Sequence, residues 1–140
     1  FDLAVYLQKI EEEAQLRNRA LTIALSGEPE VHVRPNAFSR LLANVIGNAF
    51  RYAKCVKVTA SHARGSLLVI VDDDGPGVPA EKREDVFKPF VRLDEARNQD
   101  ASGTGLGLAI ARDIARSHGG DISLEDSPMG GLRVIVRIPA

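Results

Sequence analysis

An excess of charge of either sign is missing from this chain: 18 Lys and Arg stand against 19 Asp and Glu, a formal net charge of -1. Without a global field to draw in nucleic acid or an anionic membrane, any anion site has to be built locally. Cysteine is almost absent. The single Cys55 rules out a disulfide within the chain and suits a reducing compartment. It opens the apolar run CVKV with no adjacent His or acid to activate it, so it is expected to be a small core residue and not a nucleophile. No apolar run approaches the ~18 residues of a membrane span, and the opening FDLAVYLQKIEEEA is too acidic for a secretory signal. The start also lacks an initiator Met, so the chain reads as a fragment of a longer protein. What remains is an ordinary globular composition of 140 residues, 44% apolar and 26% charged, with 12 Gly and 7 Pro and no visible repeat or linker. A chain this long can bury roughly 68 to 70% of its unfolded surface. One domain spanning 1–140, with a core that needs no metal or disulfide, is expected.

Periodicity supplies the elements. Asp2 is a candidate N-cap with Phe1 and Tyr6 as a staple around it, and Leu3, Leu7, Ile10 and Ala14 share one helical face over roughly residues 3 to 18. ALTIAL reads as a short strand. VHVRP then leads to Pro35 at the first position of a second helix, whose apolar stripe is Phe38, Leu41, Leu42, Val45, Ile46 and Ala49. CVKVTASH and SLLVIVD form a hairpin around ARGS, the latter apolar throughout like a central strand. AEKREDVF suits a short helix from near Pro79, and the polar stretch 88–104 predicts a long mobile loop of functional kind. A third helix is expected from about Gly105 to His118, closed by Gly119, and DISLED and LRVIVRIP end the chain as strands around SPMGG. Interleaved helices and strands with a terminal hairpin point to an α+β fold, a two-layer α/β sandwich with three main helices on one face of a mixed sheet.

Four local features carry chemistry, each with a plainer alternative. Asn44, Asn48 and Arg51 fall within an arc of roughly 60° beside the apolar stripe of the second helix, with Tyr52 next to them. Asn in mid-helix costs propensity, which is tolerable if the amide oxygens serve as neutral, hard ligands to a Mg²⁺ carried by a nucleotide; otherwise this is a solvated face. In DDDGPGV, Asp73 at a strand end can accept from an exocyclic amine while Gly75 and Gly77 let a flat base approach the backbone. The same run can be a surface turn. Calcium-loop spacing is rejected, because it would place Ile70, Pro76 and Pro79 at the first, seventh and tenth loop positions. A receiver-type acid pocket fails as well, with its acids mid-chain and no Lys ending a later strand. GTGLGL, residues 103 to 108, can cradle phosphate where a helix begins, yet it lacks the strand of a dinucleotide fold and the GKS or GKT of a Walker loop. In VFKPFVR, Phe87 and Phe90 can anchor a loop hinge and Arg92 can reach a terminal phosphate, or they are two core rings and a surface Arg.

In order and spacing, NVIGNAFRY, DDGPG, FKPFVR and SGTGLGLAI resemble the N, G1, F and G2 boxes of sensor histidine kinases, across essentially the whole chain and closest to the EnvZ-like class. The resemblance implies the Bergerat sandwich of the GHKL ATPases and the cofactors ATP and Mg²⁺. It implies Asn48 as metal ligand assisted by Asn44, Arg51 near phosphate, Tyr52 near the nucleotide, and Asp73 reading the adenine amine. It also implies nucleotide contacts at Gly75, Gly77, Val78, Phe90, Arg92, Thr104, Gly105, Leu106, Gly107 and Leu108, with Asn48, Arg51 and Arg92 as the catalytic set and 88–104 as a lid.

Gyrase, MutL and the anti-sigma serine kinases resemble one another in a Glu one turn before the metal-binding Asn. Here that position is Asn44. An amide takes no proton at neutral pH, so the acceptor must bring its own nucleophile, as an imidazole does. His32, His62 and His118 are followed by Val33, Ala63 and Gly119, unlike the family's phosphoacceptor. They read as a loop or strand residue, a strand-end residue, and a helix C-terminal residue whose positive form suits the dipole. The implied partners are the dimerisation and histidine-phosphotransfer domain of the same kinase and a cognate response regulator. No nucleic acid and no direct membrane contact are expected. The isolated piece is expected to be a monomer, and the parent a homodimeric inner-membrane receptor with this domain on the cytoplasmic side. The rival is a nucleotide-binding regulatory module of the same superfamily without transferase activity.

Overall fold

The first helix, α1 (Leu3–Leu16), starts as its sequence dictates: the Asp2 carboxylate accepts from the Val5 N–H at 3.1 Å, and the Phe1 and Tyr6 rings close over the cap with centroids 5.4 Å apart. It stops two residues before 18 because Asn18 turns into the left-handed region at φ 56°. Removing that cap with Asp2→Ala is expected to cost about 0.5 to 2 kcal/mol, measured by urea unfolding. The structure, a computed structural model, describes residues 1–88 and 107–140.

Strand β1 (Ala20–Gly27) runs parallel to β2 (Cys55–Ala63), so the chain between them must cross over, and α2 (Pro35–Tyr52) makes the crossing. Its six stripe residues Phe38, Leu41, Leu42, Val45, Ile46 and Ala49 are its buried ones, as the 3.6-residue period requires. β3 (Ser66–Asp73) returns antiparallel to β2 around Arg64 and Gly65, both at positive φ. After the helix α3 (Gly107–Ser117), β4 (Asp121–Asp126) and β5 (Leu132–Pro139) complete a five-stranded mixed sheet in the order β1-β2-β3-β5-β4. Inward residues alternate along the strands: Val56, Val58 and Ala60, then Leu67, Val69 and Val71, then Val134, Val136 and Ile138. These join the apolar faces of all three helices in one core. The result is the α+β two-layer sandwich, helices on one face.

Three expectations need correction. AEKREDVF forms two short 3₁₀ turns, Ala80–Lys82 and Asp85–Phe87, in place of an α-helix. Its apolar residues come only at the end, so it has no helical stripe to bury. Cys55 is exposed, because the pleat that turns Val56 and Val58 inward turns Cys55 and Lys57 out. His118 does end a helix, but not as a dipole-stabilised cation. Its Nε2 accepts from the Arg34 backbone N–H at 3.1 Å and its Nδ1 lies 2.8 Å from the Ile114 carbonyl, an arrangement only the neutral Nδ1–H tautomer satisfies.

Candidate functional site

Asn44 and Asn48 stand one turn apart on α2, about 6 Å along its axis, and both are half-buried, as are Arg51 and Tyr52. They border the stripe that anchors the helix to the core, so their backbone positions are set by six buried neighbours on the same helix. The far end of α2 is tied to α3 as well: the Arg34 guanidinium donates to the Ser117 carbonyl and hydroxyl at 3.2 and 2.5 Å, beside the His118 bond. The two helices bearing the amides and the glycine-led turn are thereby held together away from the site.

The near end of α2 meets the turn after β3, and the three consecutive aspartates part company there. Asp72 points to the outer sheet face and takes the Arg133 guanidinium on both oxygens, at 2.8 and 3.0 Å. Asp74 turns back to the exit of α2, its Oδ1 accepting from the Lys54 and Cys55 N–H groups at 2.9 and 3.0 Å. These bonds, the Cys55 one foremost, hold its carboxyl below the usual range. Asp73 points inward. Its Oδ1 accepts from Gly75 N–H at 2.9 Å and Leu132 N–H at 3.0 Å, while Oδ2 has no partner among the described residues. No unpartnered side-chain polar atom among those residues is sealed from solvent, so Oδ2 keeps solvent contact although Asp73 is only 5% exposed.

Burial pushes the Asp73 carboxyl up, the Leu132 and Gly75 N–H groups oppose this, and Asp74 and Asp72 add to the rise. Gly75 is required by a close approach, since a Cβ there would stand 2.7 Å from the Tyr52 carbonyl oxygen. Gly77 sits at φ 72°, and Val78 packs half-buried against the core, its carbonyl accepting from Arg83 Nε at 3.2 Å.

At the head of α3, Leu108 is buried, and among the described residues nothing lies within 4 Å of where a Cβ on Gly107 would be. Phe87 is a core ring with the Arg112 guanidinium 4.1 Å from its centroid. Phe90, Arg92, Thr104, Gly105 and Leu106, with the loop expected over 88–104 apart from Lys88, lie outside the described residues. A separate cavity of about 410 Å³, lined by Phe87, Arg83, Glu84, Arg112, Asp121 and Leu124 among others, contains none of the other predicted site residues.

The donor set fits a nucleotide carrying its own metal. Two neutral amides offer oxygen to a hard cation without neutralising it, so the compensating charge must come from phosphate, and among the described residues no group of three or more His, Cys, Asp or Glu is placed to hold a metal. Sequence reasoning missed Gly131 and the Leu132 N–H. Both face Asp73, and Gly131 N–H donates to the Asp73 carbonyl at 3.1 Å. SPMGG shows two adjacent glycines, but that only Gly130, at φ 100°, needs one for its backbone angle is set by the structure.

Comparison with known proteins identifies the family and the fold. The family model described as histidine kinase-, DNA gyrase B- and HSP90-like ATPase matches residues 33–140. The sensor histidine kinase CpxA of Escherichia coli (strain K12) is 41% identical over 129 residues, 91% of this chain and 28% of CpxA. The chain thus spans little more than a quarter of that curated relative. Among solved structures, the catalytic domain of the histidine kinase ThkA, nucleotide-free, has a TM-score of 0.81 at 27% identity, covering 99% of this chain and 93% of the other. The histidine kinase domain of the E. coli osmosensor EnvZ has a TM-score of 0.73 at 37% identity, covering 100% and 87%.

Proposed function

The chain belongs to the histidine kinase-, DNA gyrase B- and HSP90-like ATPase family, and on that footing we propose that it is the ATP-binding catalytic domain of a sensor histidine kinase. It binds Mg·ATP and directs the γ-phosphoryl group to a histidine on an adjoining dimerisation domain, for relay to a response regulator. All 140 residues form that one domain, and the acceptor lies in a part of the parent outside it. The observation that carries the reading is Asp73, anchored through one oxygen and open at the other, where the end of α2 meets the β3 turn.

Each side chain then has a physical task. Asp73 accepts from the base amine, and Gly75 and Gly77 let the ring lie against the backbone near Val78 and Tyr52. Asn48, with Asn44, offers amide oxygen to the Mg²⁺ that arrives with the triphosphate, and Arg51 faces the phosphates. Gly107 and Leu108 belong to the phosphate turn together with Thr104, Gly105 and Leu106, and Phe90 and Arg92 complete the set from the F box. Bound Mg·ATP supplies the transferable phosphoryl group; the chain's own residues bind and orient it. None of them is a base one turn before Asn48, since Asn44 is an amide. The acceptor imidazole must therefore attack with its own lone pair.

Of the three histidines, His32 is exposed but is followed by Val33 and not by the acidic residue and Arg of the family's phosphoacceptor, and the other two are engaged. His62 is buried, with its ring nitrogens 2.8 and 2.5 Å from the Glu28 and Ala140 carbonyl oxygens, and His118 is bound as described. The parent is a homodimeric membrane receptor with this domain on the cytoplasmic side; no helix among the described residues is itself long and apolar enough to span a membrane. The test supplies a cognate acceptor-helix fragment with γ-labelled ATP. Label on the acceptor histidine is the expected result. Nucleotide binding with no transfer to any paired acceptor would instead support a purely regulatory module.

A further inference from the structure

The turn between β4 and β5 stands directly behind the Asp73 carboxylate. Its shape is braced from within: Gly130 N–H donates to the Ser127 carbonyl at 3.0 Å, Met129 N–H to the Ser127 hydroxyl at 3.0 Å, and Ser127 N–H to the Gly131 carbonyl at 2.9 Å. Its last residue is then bonded to β3, Gly131 N–H reaching the Asp73 carbonyl at 3.1 Å, and the next N–H, from Leu132, takes up Asp73 Oδ1 at 3.0 Å. At Gly131 there is no room for a side chain. A Cβ would run into Asp73 Oδ1 itself, and would lie 2.6 Å from both the Asp73 carbonyl oxygen and the Gly75 nitrogen.

We propose that Gly131 is a positioning residue that sets base selectivity: by leaving space for Oδ1 against the Leu132 N–H, it aims Oδ2 at the exocyclic amine of the bound purine. The inference rests on the reading of Asp73 as the base acceptor. Two fixed N–H donors on one oxygen leave the carboxylate a single orientation, so the second oxygen is presented without the cost of ordering it on binding. A side chain at 131 must displace Oδ1, Gly75 or the β3 end. Each of these shifts moves the amine acceptor by a distance on the scale that spoils an aligned hydrogen bond.

Titration calorimetry of the 140-residue chain with Mg·ATP and with Mg·GTP tests this, on the wild type, Gly131→Ala and Gly130→Ala. Gly131→Ala is expected to weaken ATP by about tenfold or more and to bring the ATP-to-GTP preference close to one, with GTP affinity changing much less. Gly130→Ala strains the same turn through its positive φ but meets nothing within 4 Å among the described residues, so it should lower thermal stability and keep the preference. If Gly131→Ala does not fold, replacing Leu132 by its α-hydroxy acid removes the N–H that anchors Oδ1, at the cost of a weaker Gly131 carbonyl acceptor for Ser127 N–H, and the same loss of preference is expected. A wild type that does not distinguish ATP from GTP removes the base reading of Asp73 on which the inference stands. A wild type that prefers ATP, with Gly131→Ala or the ester keeping that preference, overturns the role of Gly131 alone. So does an equal weakening of both nucleotides.

Discussion

Asn48→Asp is expected to lower phosphotransfer from Mg·ATP to a supplied histidine acceptor by about 100-fold or more, while leaving the fold intact. The side chain is half-buried at the border of a stripe that contributes six core residues, so an isosteric change alters charge without altering packing. A carboxylate in place of the amide faces the triphosphate with a like charge. At about 5 Å and an effective dielectric near 20 that repulsion is roughly 3 kcal/mol, which corresponds to roughly two orders of magnitude in rate. On the proposed reading of Asn48 it would also exchange a neutral ligand for a charged one, so that a Mg²⁺ shared between protein and phosphate would be held in a different ligand field. The measurement is transfer of labelled phosphate to an acceptor-helix fragment at saturating nucleotide, with thermal unfolding as the check on integrity. Wild-type rates in the variant would remove Asn48 from the metal-binding role.

Asp73→Asn is expected to weaken ATP by roughly ten- to hundred-fold, the equivalent of the 1.5 to 3 kcal/mol of a charge-assisted hydrogen bond, and to erase most of the preference over GTP. The amide oxygen can keep the Gly75 and Leu132 N–H groups, which leaves its NH₂ where Oδ2 was. Two donors then face each other across the adenine amine, whereas guanine presents a carbonyl at that edge. Stability should move differently. Burial first, then the Asp74 and Asp72 charges, hold the Asp73 carboxyl above its ordinary value against the pull of two N–H groups.

A carboxyl with a raised folded value binds its proton more tightly in the fold than in the unfolded chain. Its contribution to stability is fully present below the unfolded value and lost as pH rises through the folded one. At neutral pH the ionised side chain is therefore a burden, and Asp73→Asn should be as stable as the wild type or more so, with the difference shrinking on acidification. Urea unfolding at several pH values, beside titrations with both nucleotides, reads the two effects separately. A variant that loses stability in step with affinity would make Asp73 a structural residue.

How these residues came to be readable differs from one to the next. Asn44 and Asn48 were legible because a helix of known period carries both them and the apolar stripe, so their angle to the core follows from spacing alone. The strands were legible for the same reason at period two. The N-cap and staple at Asp2, Phe1 and Tyr6 are strictly local. AEKREDVF was misread because Pro79 suits a helix start while the run after it has no apolar face to fold against. Cys55 was misread because hydrophobic neighbours were counted without their alternation, and His118 because a dipole argument ignored a partner 84 positions away in sequence.

By itself, then, the sequence determined the three main helices, the strands, the sandwich class and the face of α2 that carries Asn44 and Asn48, since each depends on side chains repeating along one stretch of backbone. The motif already singled out Asp73 in DDDG, and only the tertiary structure gave the three aspartates their different partners. Their side chains are alike, and what separates them is Arg133 on β5 for Asp72, the Leu132 N–H for Asp73 and the exit of α2 for Asp74. It also decided that Gly131, 58 residues beyond Asp73, must lack a side chain. That requirement comes from excluded volume between segments that only the antiparallel pairing of β3 with β5 brings together, and excluded volume has no periodicity for a sequence to display.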